Sequence, residues 1–170
     1  MIQGSYLGMP LELNERETHQ VPYFRYCAEG EFRLQKCAGC GLLRYPPGTA
    51  CPWCACAQAE WVPVEGRGSV HSYMEAHHSF QPAFQPFLPY TVLLVDLDTQ
   101  KGIPTEHEAL RVIGNLVDAA GRMAPPELVG RVGIGTRVRM VFTPVASGLA
   151  LPQWAYDDSA PQPVPWRYPE

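Results

Sequence analysis

The sequence contains almost no lysine. Its 170 residues include 13 lysine and arginine residues, of which only Lys36 and Lys101 are lysine. Acidic residues outnumber basic ones, so the formal net charge is −4 at pH 7. A small domain that tracks a nucleic-acid backbone is usually basic, with clustered lysine and arginine. The composition therefore argues against a chain whose main partner is DNA or RNA.

Long apolar runs are also missing. The longest run, around TVLLV, has the length of one strand, whereas a membrane-spanning helix needs about 20 apolar residues. The N-terminal stretch MIQGSYLGMPLELNERE has no basic start, apolar centre and small-residue cleavage site of a secretion signal. These features predict a cytoplasmic protein without a membrane partner, in which cysteine thiols stay reduced.

The motifs of an independent enzyme are absent too. The sequence has no Gly-x-Ser-x-Gly and no His-Glu-x-x-His. In a strand, one face of HSYMEAHHSF would carry His71, Tyr73, Glu75 and His77. This face suits either acid–base or metal chemistry or an exposed polar surface. Asp96 and Asp98 are interpreted in the same two ways, as paired carboxylates or as a solvated strand end. We predict no catalytic residue in this chain.

Four of the six cysteines form two Cys-x-x-Cys pairs in CAGCGLLRYPPGTACPWC. Each pair lets two thiolates point to one side of a tight turn, for which Gly41 and Pro52 are suited. Disulfides would suit a small secreted domain, and a redox site would need one pair beside a βαβ unit. Two pairs instead predict one structural zinc without an open coordination position, with iron as the alternative. The predicted ligands are Cys37, Cys40, Cys51 and Cys54.

Two cysteines lie outside these pairs. Cys56 follows the second pair closely and could compete as a ligand, but the two-residue spacing favours Cys51 and Cys54. We predict that Cys27 and Cys56 are free thiols without a role in metal binding.

The pattern outside the cysteines predicts a mainly β fold, and 18 prolines argue against a mainly helical one. A short helix is predicted around Tyr23–Glu29, while residues 1–20 are polar and show no clear pattern. The aromatic residues Tyr23, Phe24 and Tyr26 suit either an arm that packs on the zinc module or a docking segment for a partner. The segment EGRGS is predicted to be a glycine turn. Both a β-sandwich and a Greek-key barrel fit, but a helical turn in PPELVG favours a five-stranded OB-fold barrel. Strands are predicted in AEWVPVEG, SVHSYMEAHH, YTVLLVDLD, ALRVIGNLVD, RVRMVFTPVA and GLALPQWAYD.

The order of several segments resembles a known family, the acyl-CoA-associated zinc-ribbon/OB-fold proteins that were first named only as a domain of unknown function. The matching segments are LQKCAGCGLLRYPPGTACPWC, GRGSVHSYMEAHHSF, PYTVLLVDLD, RVIGNLVD, IGTRVRMVF and LALPQWAY. The resemblance covers about residues 24–156. It implies an N-terminal helical segment, a rubredoxin-like zinc ribbon and an OB-fold domain. The composition of SAPQPVPWRYPE adds a Pro-rich tail that is predicted to be extended or partly disordered. Their expected bounds are residues 1–35, 36–60, 61–157 and 158–170.

Members of that family are accessory subunits of thiolase-like enzymes, and their partner holds the main catalytic residues. The resemblance therefore implies a non-catalytic subunit of a complex that makes or cleaves carbon–carbon bonds in acyl-CoA substrates. Its expected partners are a thiolase-like subunit and acyl-CoA, which it helps to enclose, and its expected cofactor is one structural zinc. The alternative is an OB-fold nucleic-acid-binding or other ligand-binding module that contains a structural zinc ribbon.

The loop HHSFQPAFQPFLPY combines aromatic residues with prolines that stiffen it. Such a loop suits a satellite core, an acyl tunnel or a protein interface. Where the family often has arginine after the paired prolines, this chain has Gly48, so a role of that arginine at the CoA phosphates is either missing here or taken by Arg44. The candidate contacts to acyl-CoA or to the partner are Tyr73, His77, His78, Phe80, Phe84, Phe87 and Arg44.

Two further features remain open from the sequence. Arg137 and Arg139 lie in one predicted strand and, with Arg111 and Arg131 nearby, could form a small anion site. The segment DTQKGIPTEHEAL is longer than the connection expected between two strands of a small barrel.

Overall fold

The computed structural model describes residues 1–169, which form a mainly β protein. The chain begins with a two-stranded hairpin and a helix, continues through a three-stranded sheet and ends in a barrel. No helix in these residues is long and apolar enough to cross a bilayer. The first elements are β1 (Ile2–Tyr6), β2 (Met9–Leu13), α1 (Gln20–Ala28), β3 (Arg33–Cys37), β4 (Leu43–Arg44) and β5 (Ala59–Pro63).

Five strands close into the barrel in the order β10-β8-β7-β6-β9. Only β10 and β8 pair in parallel, and every other neighbouring pair is antiparallel. A 3-10 helix (Pro82–Phe87) connects β6 to β7, and the short helix α2 (Pro126–Val129) lies between β8 and β9. This architecture confirms the predicted five-stranded OB-fold barrel. Its strands are β6 (Arg67–Ala76), β7 (Tyr90–Leu97), β8 (Arg111–Val117), β9 (Arg137–Ala146) and β10 (Leu149–Tyr156).

The barrel interior follows from the alternation of the strand sequences. In β7, every second side chain is buried, among them Leu93, Val95 and Leu97. Trp154 of β10 is fully buried, and its indole nitrogen donates to the carbonyl of Val112 at 3.2 Å.

The EGRGS turn prediction was wrong, because β6 already begins inside it. Gly68 lies in β6 where a Cβ would stand 2.2 Å from the carbonyl oxygen of Asp96, so β6 and β7 approach more closely than any larger residue allows.

The N-terminal hairpin was not predicted. Its strands pair from Ile2↔Leu13 to Tyr6↔Met9, and both residues of the turn, Leu7 and Gly8, have positive φ values of 52° and 80°. Tyr6 anchors the hairpin on the barrel, since its hydroxyl accepts hydrogen bonds at 3.0 Å from the side-chain amides of Asn115 and Gln153. Residues 1–20 therefore contain ordered strands that are half-buried against the barrel.

Helix α1 confirms the predicted helix but begins at Gln20. The carboxylate of Glu17 accepts backbone N–H groups at the helix start, including that of His19 at 2.9 Å, which places a negative charge at the positive end of the helix dipole. Val21, Tyr23 and Cys27 form its buried face, which packs against β3 and β10.

The tail, which the sequence predicts to be extended or partly disordered, packs against the barrel in residues 158–169. Trp166 exchanges two backbone hydrogen bonds with Ile134, at 2.9 and 3.0 Å. The guanidinium of Arg167 donates to the carbonyls of Val129, at 2.9 Å, and of Val132. These contacts position the side chains of the tail beside β6.

Candidate functional site

The two cysteine pairs form two copies of the same turn. The first follows β3 and the second lies between β4 and β5. The N–H of Gly41 donates to the carbonyl of Cys37 at 2.9 Å, and the N–H of Ala55 donates to that of Cys51 at the same distance. Gly41 and Ala55 have positive φ values of 76° and 60°. Each turn therefore brings its two sulfurs to one side.

The four predicted sulfurs come together, and their ligand atoms lie within 4.8 Å of one another. The sulfurs of Cys37 and Cys54 are 3.5 Å apart, and those of Cys40 and Cys51 are 3.6 Å apart. A tetrahedron with zinc–sulfur bonds of about 2.3 Å has edges of about 3.8 Å, so the cluster fits one zinc ion. All four positions would be taken by protein sulfur, which makes the site structural. Within residues 1–169 it is the sole group of this kind.

The backbone around Cys37 favours the thiolate that a metal requires. Hydrogen bonds from the backbone N–H groups of Cys40 and Gly39 outweigh burial and lower the pKa of the Cys37 thiol to about 5. The N–H of Gly39 lies 3.3 Å from this sulfur. The first turn is therefore prepared for metal binding by its backbone.

The two remaining cysteines lie outside the cluster. Burial raises the pKa of the Cys27 thiol to about 12, so this side chain stays a neutral thiol in the core. The sulfur of Cys56 donates to the side-chain oxygen of Gln58 at 3.3 Å. Cys56 lies close to Gly39, where a Cβ would be 3.3 Å from its sulfur, but it is not one of the four grouped sulfurs.

Arg44 differs from its expected role at CoA phosphates. Only 1% of the residue is exposed. Its guanidinium donates to the carbonyls of Cys56 and Gln58 at 2.9 Å and to that of Gly48 at 3.3 Å. Since a buried guanidinium with these partners is not available to a phosphate, Arg44 braces the loops that carry the second cysteine pair.

The polar residues of β6 do not form one catalytic centre. The ring of His71 lies 3.2 Å from the carboxylate of Asp96, whereas Glu75 lies 3.4 Å from His77 and 2.8 Å from Arg167. A register shift between Val70 and Ser72 interrupts the regular alternation of the strand. The polar residues therefore form two separate groups, one around Asp96 and one around Glu75. Asp96 and Asp98 pair with arginines instead of with each other.

A pocket of about 380 Å³ lies between β6 and the tail. Arg167 lies 5.5 Å from the ring centre of Tyr73, and the hydroxyl of Tyr73 accepts the backbone N–H of Tyr168 at 3.0 Å. The structure thus places the candidates Tyr73 and His77 beside tail residues that the sequence did not single out. In the sequence, the aromatic residues of PWRY were the signal that could have identified these tail residues. The pocket is lined by Ser72, Tyr73, Glu75, His77, Ile134, Trp166, Arg167 and Tyr168.

The aromatic loop divides into packed and exposed residues. The ring of Phe84 lies 4.9 Å from that of Tyr90 and 6.1 Å from that of Tyr6, and Phe87 is also half-buried. Phe80 is fully exposed, at 105% of its reference area, and His78 beside it is exposed as well. The exposed part therefore begins directly after β6 and continues the surface around His77.

Three of the four arginines of the predicted anion site have a partner. Arg137 donates to both carboxylate oxygens of Asp98, and Arg111 lies 2.9 Å from the carboxylate of Asp96. Arg131 lies 4.5 Å above the ring of Tyr156. These contacts occupy three of the four side chains, while Arg139 forms no ion pair within residues 1–169.

Two family models match the chain. A rubredoxin-like zinc ribbon domain of ChsH2 matches residues 24–55, and the C-terminal OB-fold domain of ChsH2 matches residues 61–143. Together they cover most of the region that contains the four cysteines and the barrel.

One curated relative and one solved structure support the same relationship. A protein of Thermomonospora curvata named "Probable enoyl-CoA hydratase alpha subunit" is 38% identical over 98 residues, which are 58% of this chain and 27% of that protein. This chain thus spans about a quarter of that relative. A chain of a solved structure described as an Ltp2-ChsH2(DUF35) aldolase is 29% identical, with a TM-score of 0.63. The match covers 85% of this chain and 98% of that one. The chain belongs to the ChsH2 (DUF35) family, whose zinc ribbon and OB fold it contains in the same order.

Proposed function

We propose that this protein is a non-catalytic accessory subunit of an acyl-CoA-processing enzyme complex with a thiolase-like catalytic subunit. The observation that carries the proposal is the match to the ChsH2-type chain of an aldolase, because it extends over 98% of that chain. The relative named as an enoyl-CoA hydratase subunit agrees with acyl-CoA chemistry. In this role the chain binds its catalytic partner and helps to enclose the acyl-CoA.

The side-chain chemistry supports a role without independent catalysis. A nucleophile needs a neighbouring base or a lowered pKa to react. In residues 1–169, the cysteine with a strongly lowered pKa, Cys37, is one of four sulfurs that fit a closed metal site. Within residues 1–169, the side chains of His71 and His77 contact Asp96 and Glu75, and neither histidine is hydrogen-bonded to a serine or cysteine.

The surface that we assign to the partner or to acyl-CoA is the end of the barrel where β6 leads into the aromatic loop. Tyr73 and His77 line a pocket there, and His78 and Phe80 follow directly in the chain. Phe80 is too exposed to contribute to the core, so an interface is the use that its ring fits best. Phe84 and Phe87 complete this surface while packing partly on the protein itself.

Charge pairing argues against the nucleic-acid alternative. A groove that follows a phosphate backbone must present unpaired lysine or arginine. On this barrel, Arg67, Arg111 and Arg137 each pair with an aspartate. We expect weak binding to single-stranded DNA and RNA, with dissociation constants far above the micromolar range at physiological salt.

A tagged chain, purified from its native host under mild conditions, tests the proposal. We expect a thiolase-like subunit to co-purify, and acyl-CoA turnover to appear in the reconstituted complex but not in the isolated chain. Recovery of no acyl-CoA enzyme, turnover by the pure chain alone, or sub-micromolar binding to single-stranded nucleic acid would each overturn it.

A further inference from the structure

The C-terminal tail lies in a groove between β6 and the connection from α2 to β9. On the side of this connection, the backbone of Trp166 pairs with that of Ile134 through two hydrogen bonds, at 2.9 and 3.0 Å. On the side of β6, the N–H of Tyr168 donates to the hydroxyl of Tyr73 at 3.0 Å. The tail is therefore held in the way in which an extended peptide pairs with an exposed backbone edge of a receptor.

The groove contains a pocket for one arginine side chain. The guanidinium of Arg167 donates to the carbonyls of Val129, at 2.9 Å, and of Val132. It also donates to the carboxylate of Glu75 at 2.8 Å and lies 5.5 Å from the ring centre of Tyr73. Two carbonyls, a carboxylate and an aromatic face match the planar, forked donors of a guanidinium, whereas the ammonium of lysine is a compact point charge.

Gly133 allows the backbone of the tail to come this close. A Cβ at residue 133 would stand 2.3 Å from the carbonyl oxygen of Trp166 and 2.8 Å from Cγ of Arg167. Any larger residue would push the tail away from the groove. The groove therefore fits an extended segment in its backbone shape as well as in its arginine pocket.

The side chains of the tail point in the opposite way from those of a core element. Val164, Trp166 and Tyr168 are 95%, 56% and 76% exposed, whereas the charged side chain of Arg167 points inward. A segment that stabilises a core buries its apolar side chains instead. A partly buried ion pair adds little net stability, because the lost hydration of both charges offsets much of their attraction. This arrangement suits a segment that is held specifically and can leave the groove.

We propose that this groove binds an extended, arginine-bearing segment of another protein, and that the tail is the exchangeable ligand that occupies it within the chain. The incoming segment pairs its backbone with Ile134 and inserts its arginine between the carbonyls, Glu75 and Tyr73 after the tail has left. The assignment stands on the groove and does not depend on acyl-CoA chemistry, so it can be tested on the full-length, zinc-loaded chain alone.

Arg167→Ala should release the tail from the groove. We expect the backbone amides of Ile134 and Trp166 to exchange with deuterium at least about 10-fold faster, while that of Leu93 inside the barrel keeps its rate. Arg122→Ala removes a guanidinium that is 81% exposed and is the matched control, which should change none of these rates. Unfolding of Arg167→Ala, or unchanged exchange at Ile134, would show that the tail is a fixed part of the fold and would overturn the proposal.

A labelled peptide, PVPWRYP, reproduces residues 163–169 and probes the groove directly. Fluorescence anisotropy gives its dissociation constants. We expect the Arg167→Ala chain to bind the peptide at least about 10-fold more tightly than the wild type, whose own tail competes at a high effective concentration. Lysine in place of the arginine of the peptide should weaken binding to the variant by at least about 5-fold, because lysine cannot form the forked hydrogen bonds.

Glu75→Gln in the Arg167→Ala background removes the negative charge that the arginine of the peptide meets. We expect the peptide to bind about 10-fold more weakly to this chain. Glu12→Gln, at an exposed residue of β2, changes the net charge equally in the same background and should leave the affinity unchanged. Gly133→Ala in that background should also weaken the peptide, since the added Cβ fills the position of its backbone.

Four results would each overturn the proposal: equal affinity of wild type and Arg167→Ala, equal affinity for the arginine and lysine peptides, no effect of Glu75→Gln, or no binding up to millimolar concentration. A wild-type dimer in sedimentation experiments that Arg167→Ala abolishes would assign the groove to the tail of a second copy and would overturn the assignment to another protein. None of these results would contradict co-purification with a catalytic subunit, which tests the proposed function separately.

Discussion

The side chain of Gln100 pairs with both backbone groups of Leu43. The N–H of Leu43 donates to the amide oxygen of Gln100 at 2.7 Å, and the amide nitrogen donates back to the carbonyl of Leu43 at 3.4 Å. Gln100 belongs to the long connection between β7 and β8, whereas Leu43 lies in the edge strand of the ribbon sheet. The amide therefore acts as a strand neighbour for β4 and ties the zinc ribbon to the barrel.

Gln100→Ala should loosen this junction. We expect a loss of about 1–2 kcal/mol in the free energy of unfolding, because two hydrogen bonds at a half-buried site are removed. Urea denaturation measures the loss, and hydrogen exchange should show faster exchange of the Leu43 amide. Gln3→Ala, at an exposed residue of β1, is the control. Unchanged exchange at Leu43 would show that the pairing does not hold the two parts together.

Cys40→Ser should abolish stoichiometric zinc binding. The four-sulfur geometry fits one ion per chain, and small zinc modules depend on the metal for their fold. Elemental analysis of the purified protein should find about one zinc in the wild type and far less in the variant. Cys27→Ala and Cys56→Ala should keep full zinc content, since neither sulfur belongs to the cluster. Full zinc in Cys40→Ser, or zinc loss in Cys56→Ala, would mean that the ligand set is different.

Phe80→Ala should weaken binding to the catalytic partner without lowering the stability of the free chain. The ring is fully exposed, so its removal should change the free energy of unfolding by less than about 0.5 kcal/mol. If Phe80 is a central contact of the catalytic partner, the variant should lose about 2 kcal/mol of binding, which is a roughly 30-fold weaker complex. Calorimetry of the complex and a thermal melt of the free chain measure the two quantities.

Phe84→Ala is the comparison within the same loop. Its ring packs against Tyr6 and Tyr90, so part of its effect should appear as lower stability of the free chain. Phe87→Ala should behave in a similar way, as Phe87 is also half-buried. If all three variants lower the melting temperature and any complex that forms keeps full activity, the loop is only a satellite core.

Asp157→Asn should destabilise the protein most at neutral pH. Asp157 is completely buried, and its carboxylate accepts hydrogen bonds from Ser159 and, at 2.7 Å, from Arg67. Burial acts to raise the pKa of Asp157, but the bonds from Ser159 and the charge of Arg67 outweigh it and lower this pKa. A lowered pKa stabilises the fold above the unfolded value of about 4, and this contribution disappears as the pH falls through the folded pKa.

Urea denaturation between pH 7 and pH 3 tests this assignment. The variant should be less stable than the wild type by about 1–3 kcal/mol at pH 7, and the difference should shrink below pH 4. Asp158→Asn, at the exposed neighbouring residue, should cost little at any pH. A difference that stays constant down to pH 3 would show that the charge of Asp157 is not what stabilises the fold.

Local patterns determined the metal site and the strands. The ligands of the cluster are set by two turns of four residues, whose geometry depends on neighbouring positions such as Gly41 and not on distant contacts. The alternation of β7 likewise follows from a half-buried pleat. The first hairpin was missed although Met9, Leu11 and Leu13 alternate with Pro10 and Glu12, because its strands are short and only half-buried.

The tertiary structure alone decided which side chains remain available to bind a ligand or a partner. Arg44 looked like a surface cation beside the prolines, but the loops of the second cysteine pair surround it with carbonyls. Arg111 and Arg137 looked like part of an anion site, but the fold places Asp96 of β7 and Asp98 after it next to them. Tyr23 could belong to a docking segment or to a packing arm on the sequence alone, and only the packing of helix, ribbon and barrel places it in the core. Hydrogen-bond partners and burial depend on residues far apart in the chain, so a sequence determines the elements locally while packing assigns the roles.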